Sequence, residues 1–224
     1  MSDVFSPRLL GRDLTVRFSA TTPLNGINFD FSAEDYPVAV TGPSGSGKTT
    51  LLRVIAGVLP ADAGDVLIDG QPVGRPSWRS SGDARIGLIH QDYRLVPFLT
   101  VGENLRLAWE TRRPGSPSDD DVLQALAQVG LDGISPDRMP ETLSGGEQQR
   151  VAIARTLLAG CTVLLADEPT GALDAENTGH VAELLTQLAR EHGVAVVVAT
   201  HDLGVAAKAV RRFRMGEGAL CPST

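Results

Sequence analysis

TGPSGSGKTT, residues 41–50, contains the spacing G-x-x-x-x-G-K-[ST] in full, from Gly42 to Thr49. Glycines let successive backbone N–H groups curl around phosphate oxygens with no Cβ in the way. Lys48 would then reach the β- and γ-phosphates of a nucleotide, and the Thr49 hydroxyl would bind Mg²⁺. With average composition this spacing arises by chance in about one chain in a hundred of this length. A glycine-rich surface turn would look the same, so context decides. A phosphate cradle needs a strand before it and a helix after it.

Both are present. PVAVT, residues 37–41, is a short apolar run that suits a buried strand. KTTLLRVIAG, residues 48–57, places Leu51, Leu52, Val54 and Ile55 on a helical face and ends at Gly57, a helix stop. Strand, glycine-rich loop and helix together aim a helix N-terminus at an anion. Gly42, Pro43, Ser44, Gly45, Ser46, Gly47, Lys48, Thr49 and Thr50 therefore read as a P-loop that binds a nucleotide.

The chain of 224 residues is long enough for one domain with a proper core, with room for a subdomain. Its net charge of −7 argues against sequence-independent nucleic-acid binding, which needs a basic face. Cys161 and Cys221 are far apart and form no C-x-x-C, which favours two free thiols in a reducing compartment. The four histidines show no metal-ligand spacing. Apolar stretches such as 194–199 are far short of the roughly 20 residues a spanning helix needs. The start, MSDVFSPRLL, has no basic stretch followed by a long apolar core, so no secretory signal is visible. A cytoplasmic protein is expected, with any membrane role coming through a partner.

Residues 9–18 and 24–31 look like strands joined by a Thr/Pro turn, and 65–69 like another, followed by a turn at Gly70-Gln71-Pro72. These would form a small antiparallel sheet. RPSWRSSGD, 75–83, reads as a polar loop and 85–91 as a strand. Thr100 and Glu103 form a capping box that opens a helix to about 111, and Ser118 caps a second with acids in its first turn. After residue 160 the alternation returns, with a strand at 162–166, a helix at 175–192 and a strand at 194–200. Alternating strand and helix implies a largely parallel sheet. The fold class expected is α/β: a mostly parallel P-loop NTPase sheet with flanking helices, an N-terminal antiparallel β-subdomain and an inserted helical subdomain. Residues 1–224 read as one domain, with a core of about 1–91 and 161–224 and a helical insert of about 92–160.

Two further stretches suit phosphate chemistry. In LSGGEQQR, 143–150, Ser144 and Glu147 form a capping box, and Gly145 and Gly146 would let a ligand approach the helix start. An ordinary capped helix fits this stretch as well. VLLADEP, 163–169, reads as a buried parallel strand delivering Asp167 and Glu168 to the carboxyl edge of the sheet, where ligands sit in open α/β folds. Asp167 would hold Mg²⁺, and Glu168 would polarise the attacking water. Two acids before Pro169 could also form a plain solvated turn, but the P-loop in the same chain favours the catalytic reading.

Taken together, GPSGSGKT, Gln91 after a strand, LSGGEQQR, LLADEP, ALD (172–174) and TH (200–201) resemble the nucleotide-binding subunit of an ABC transporter, in the family's order and over about residues 9–218. The resemblance implies an ATPase that uses ATP and Mg²⁺ and works as a nucleotide-sandwich dimer. Lys48 and Thr49 of one copy would face Ser144, Gly145, Gly146 and Glu147 of the other. Gln91 would touch the Mg²⁺, His201 the γ-phosphate and attacking water, and Asp174 would couple the two sites. Phe18 stands where the family often stacks an aromatic ring on adenine, although a core phenylalanine would read the same. The catalytic set implied is Glu168, His201, Lys48 and Gln91, with Thr49, Gln91 and Asp167 at the metal.

HQDYRLVPFLTVGENLRL (90–107) and ADEPTGALD (166–174) resemble the branch serving lipoprotein release, macrolide, peptide and haem efflux, and cell-division signalling. That branch implies an integral membrane permease docking near residues 91–99 and the helical insert, at the cytoplasmic face of the cell membrane. Packing within the insert is the other reading of YRLVPFL, 93–99. Two alternatives to a transport motor are a regulatory ATPase signalling through a permease-like protein and a soluble ABC-type ATPase.

Overall fold

A computed structural model describes residues 7–74, 82–112 and 114–223. The chain runs β1 (Leu9–Phe18), β2 (Thr21–Phe31), β3 (Val38–Thr41), α1 (Lys48–Ile55), β4 (Ala63–Ile68) and β5 (Gln71–Pro72). Then come β6 (Ile86–Ile89), α2 (Val101–Glu110), α3 (Asp119–Ala127), α4 (Gly145–Leu158) and β7 (Val163–Asp167). α5 (Ala175–Glu191), β8 (Ala195–Ala199), α6 (Leu203–Ala207), β9 (Arg211–Gly216) and β10 (Ala219–Ser223) complete it.

The smaller sheet is antiparallel, in the order β2-β1-β4-β5. β2 begins at Thr21, so Thr21, Thr22 and Pro23 are strand rather than the expected turn. Pro23 is tolerated because β2 is an edge strand, where a missing N–H breaks no ladder. β4 starts two residues before the expected strand. Its hairpin with β5 turns at Asp69–Gly70, with φ of 50° and 76°, and pairs Ile68 with Gln71. Positive φ at both positions fits the two-residue hairpin turn that matches strand twist. The polar loop expected at 75–83 lies mostly outside the described residues.

The larger sheet has the order β10-β9-β3-β8-β7-β6. β9, β3, β8, β7 and β6 are parallel neighbours, and β10 returns antiparallel on β9. The strands β3, β7 and β8 are continuous apolar runs, as covered parallel strands require. The β9–β10 hairpin was not anticipated. RRFRMG carries three arginines, which mask the alternation that buries Phe213 and Met215.

Between β6 and β7 the chain is helical. Capping boxes open α2 (Thr100, Glu103), α3 (Ser118, Asp121) and α4 (Ser144, Glu147). Asn104 on α2 is fully buried and braces the preceding loop. Its Oδ1 accepts from Val96 N at 2.7 Å, and its Nδ2 donates to the carbonyls of Val96, Leu99 and Thr100 at 3.0–3.1 Å. Cys161 is buried and Cys221 exposed, and both thiols are free. Among the described residues no helix is long and apolar enough to cross a membrane.

Replacing Asn104 with Ala strands several buried backbone groups at once. Asn104→Ala should lower stability by about 1–3 kcal/mol, seen as an earlier urea midpoint. An unchanged midpoint would remove Asn104 from this role.

Candidate nucleotide site

The P-loop leaves β3 and turns into α1 through glycines that nothing else could replace. Gly47 has φ of 104°, and a Cβ there would lie 2.6 Å from the Pro23 carbonyl oxygen. Gly42 has φ of 146°, and its Cβ would strike the Met215 carbonyl at 2.4 Å. Gly47 makes no side-chain cap to α1, so the first-turn N–H groups stay available to an anion. Pro43, Ser44 and Gly45 form the exposed tip, and Ser46 Oγ is a buried hydroxyl without a hydrogen-bond partner. Thr50 follows half-buried in the first turn of α1. Lys48 is only 6% exposed and folds its ammonium over the loop, donating to Gly42 O at 2.8 Å and Pro43 O at 3.2 Å.

β7, one strand removed from β3 across β8, brings both acids to this loop. Thr49 Oγ1 donates to Asp167 Oδ1 at 3.1 Å. Glu168 follows in the left-handed region, φ 50°, its N–H bonded to Ala199 O at 2.8 Å. A non-glycine residue there costs roughly 1–2 kcal/mol. Its carboxylate Oε1 lies 3.7 Å from Lys48 Nζ, and Oε2 is 2.8 Å from His201 Nδ1 and 3.3 Å from the His201 N–H. His201 itself is 71% exposed at the side chain. Lys48, Thr49, Asp167, Glu168 and His201, far apart in sequence, are thus gathered at one sheet edge.

Gln91 shares an open cleft of about 470 Å³ with Thr49, Asp167 and Glu168. Its amide lies over Gly171, where a Cβ would sit 2.8 Å from Nε2. Gly171 is therefore glycine to leave room for Gln91. Phe18 ends β1, opposite Thr21 and at the same corner as Pro23, and is 52% exposed. It is not a core residue, and its ring is open to a stacking partner.

The start of α4 differs from the sequence reading in one respect. The two glycines answer to neighbours in the same chain. A Cβ on Gly146 would lie 2.2 Å from Asn177 Oδ1, and one on Gly145 would lie 3.1 Å from Tyr93 Oη. Asn177 is fixed in turn by Asp174, the N-cap of α5, whose carboxylate accepts the Asn177 N–H at 2.8 Å and its Nδ2 at 3.0 and 3.1 Å. Ser144 stays exposed at the helix tip, with Glu147 returning its carboxylate to the Ser144 N–H at 2.7 Å. Sequence reasoning missed Asn177, although the Asp174-x-x-Asn177 cap spacing was visible. It also missed Arg155, whose carbonyl partner in Arg94 lies 61 residues upstream.

A glycine-rich loop with a buried lysine, and two acids at the end of β7 one strand away across β8, define a P-loop nucleoside triphosphatase. Residues 24–171, well over half of the chain, match the family described as ABC transporter, and the chain belongs to that family. It is similar to the lipoprotein-releasing system ATP-binding protein LolD 1 of Rhodopirellula baltica, at 41% identity over 202 residues, covering 88% of this chain and 87% of the relative. It is also similar to the uncharacterized ABC transporter ATP-binding protein YbbA of Escherichia coli K12, at 41% over 187 residues and 82% of each chain. Among solved structures it resembles the dimeric bacterial ABC transporter cassette MJ0796, with TM-score 0.80 and 32% identity over 95% of this chain and 96% of that one. The post-hydrolysis dimer of the same cassette, bound to ADP and Pi, matches at TM-score 0.80 and 31% identity over the same shares.

The Gly146 contact makes a compensation test possible. Gly146→Ala should destabilise by about 1–3 kcal/mol through overpacking, and Asn177→Ala in the same chain should recover most of the loss in thermal melting. A double variant no more stable than Gly146→Ala alone would mean the crowding lies elsewhere.

Proposed function

We propose that this chain is the ATP-hydrolysing motor of a membrane transporter, closing as a dimer around two MgATP molecules to drive a separate permease. The observation that carries the reading is the meeting of Lys48, Glu168 and His201 at the sheet edge beside the Thr49–Asp167 pair.

Each residue has a role that its contacts support. Lys48 spends two donors on loop carbonyls and keeps a third for a phosphate oxygen. Thr49, Asp167 and the Gln91 amide offer oxygen, the donor type a hard cation takes. Among the described residues no cluster of three or more His, Cys, Asp or Glu could hold a metal alone, so phosphate oxygens and water would complete the set. Mg²⁺ held there would neutralise charge on the phosphoryl oxygens. Glu168, oriented by His201, polarises the attacking water and accepts its proton, and His201 keeps its other ring nitrogen for the phosphoryl group. Phe18 stacks on adenine. The start of α4, with Ser144 exposed at its tip and Gly145, Gly146 and Glu147 behind it, meets the nucleotide of the second copy, and Asp174 links the two sites.

The permease would dock on residues 91–99 and α2. Phe98 is 77% exposed, far more than an aromatic packed into the insert would be. Docked in this way, the chain would sit at the cytoplasmic face of the cell membrane through its partner. The likeness to a lipoprotein-releasing relative supports export or extraction of a lipophilic compound, peptide, haem or lipoprotein.

Glu168→Gln should still bind ATP yet hydrolyse it at least about tenfold more slowly, as loss of a general base does. Unchanged turnover would sink the assignment. The same tagged variant, purified from mild-detergent membranes with MgATP, should bring a permease with it, identified by mass spectrometry. A soluble partner in its place would point to the soluble ABC-type ATPases. Phe98→Ser should weaken that co-purification without changing basal turnover, and full permease recovery would move the docking surface elsewhere.

A further inference from the structure

Two ordinary residues in a row, Tyr93 and Arg94, stand in the left-handed region just after Gln91, with φ of 55° and 49°. Neither is glycine, so the backbone leaves this conformation unless something holds it. Local bonds, Tyr93 N to His90 O at 3.2 Å and Arg94 Nε to Asp92 Oδ1 at 3.2 Å, close the turn on itself, and α4 fastens it to the rest of the fold. Arg155 donates from Nη2 to the Tyr93 carbonyl at 3.0 Å and from Nη1 to the Arg94 carbonyl at 2.6 Å. At the other end of the same helix, Tyr93 Oη covers Gly145, 3.1 Å from where a Cβ would stand. The turn is thus fastened to α4 near both ends of the helix.

The Arg155 guanidinium has no carboxylate partner among the described residues. Burial, and then the nearby Arg112 cation, both lower its pKa. A cation kept in such surroundings needs strong hydrogen bonds to offset its desolvation, and Arg155 directs two of them to the Gln91 turn. A lysine in its place could not span both carbonyls with one planar fork.

The geometry points to Arg155 as a positioning residue for hydrolysis: it locks the Gln91 turn onto α4, so that Gln91 and the Ser144 tip move as one body. This rests on the proposed role of Gln91 at the metal. Through this link, a shift of the helical insert carries Gln91 toward or away from Thr49 and Asp167. Arg155 touches no reacting atom and acts on turnover only through Gln91.

The test is a double-mutant cycle on the full chain with MgATP. Arg155→Met and Gln91→Ala should each lower kcat at least about fivefold with KM nearly unchanged. The double variant should be no slower than Gln91→Ala alone, as residues acting in series require. Amide hydrogen exchange at residues 92–95 should quicken at least about tenfold in Arg155→Met, with the core amides of α4 unchanged. Should Arg155→Met fail to fold, Arg155→Lys serves, with a smaller loss of the same pattern. Losses that multiply in the double variant, or exchange at 92–95 that stays the same, would overturn the proposal. If Gln91→Ala turns over normally, the Gln91 reading itself falls, and the exchange data alone decide whether Arg155 holds the turn.

Discussion

Asp167 lies opposite Ala199, and Ala166 opposite Val198, across the parallel strands β7 and β8. That register decides where the chemistry falls. Parallel strands end at the same edge, so the residues that follow them emerge together. The edge is stitched by backbone bonds from Glu168 N to Ala199 O and from Thr200 N to Val40 O, which ties β7, β8 and β3 at the point where the P-loop leaves. Glu168 and His201 then close on each other, and Thr49 meets Asp167. A slip of one residue in any of these strands would turn each acid to the opposite face of the sheet.

The same edge shows why Lys48, Glu168 and His201 are held partly by one another. Lys48 is buried beside the Glu168 carboxylate, and the carboxylate is gripped by both the ring and the backbone of His201. An acid so fixed presents its oxygens in one direction before any water arrives, which is the preorganisation that electrostatic catalysis needs. The strained backbone at Glu168 is stabilised by the same bonds. Across the cleft, α4 supports three separate features: the Ser144 tip, the Asn177 shelf behind Gly146 and the turn after Gln91. Close packing of one helix against these elements makes its glycines and Arg155 matter beyond the helix itself.

The fold was legible wherever a local rule carried it. TGPSGSGKTT, the Thr100/Glu103 and Ser144/Glu147 boxes and the apolar runs ending at Asp167 and Ala199 each state their structure in adjacent residues. The β9–β10 hairpin was hidden, because alternating arginines outweigh Phe213 and Met215 in any simple reading of RRFRMG. The site was legible as a set of residues but not as a set of contacts. Nothing in LSGGEQQR tells that Gly146 is shaped by Asn177, or in GALD that Gly171 makes room for Gln91. Those constraints are made by tertiary contact, and sequence spacing carries no trace of them.

The central claim is that two copies of this chain close around nucleotide, each presenting its Ser144 tip to the other's P-loop. Sedimentation velocity on Glu168→Gln tests it directly, because ATP stays bound while hydrolysis is slowed. The account predicts a dimer with MgATP and a monomer with MgADP. It further predicts that Ser144→Arg, which blocks the helix tip, abolishes the dimer while ATP binding persists. A Glu168→Gln protein that binds MgATP and stays monomeric at every protein concentration would contradict it.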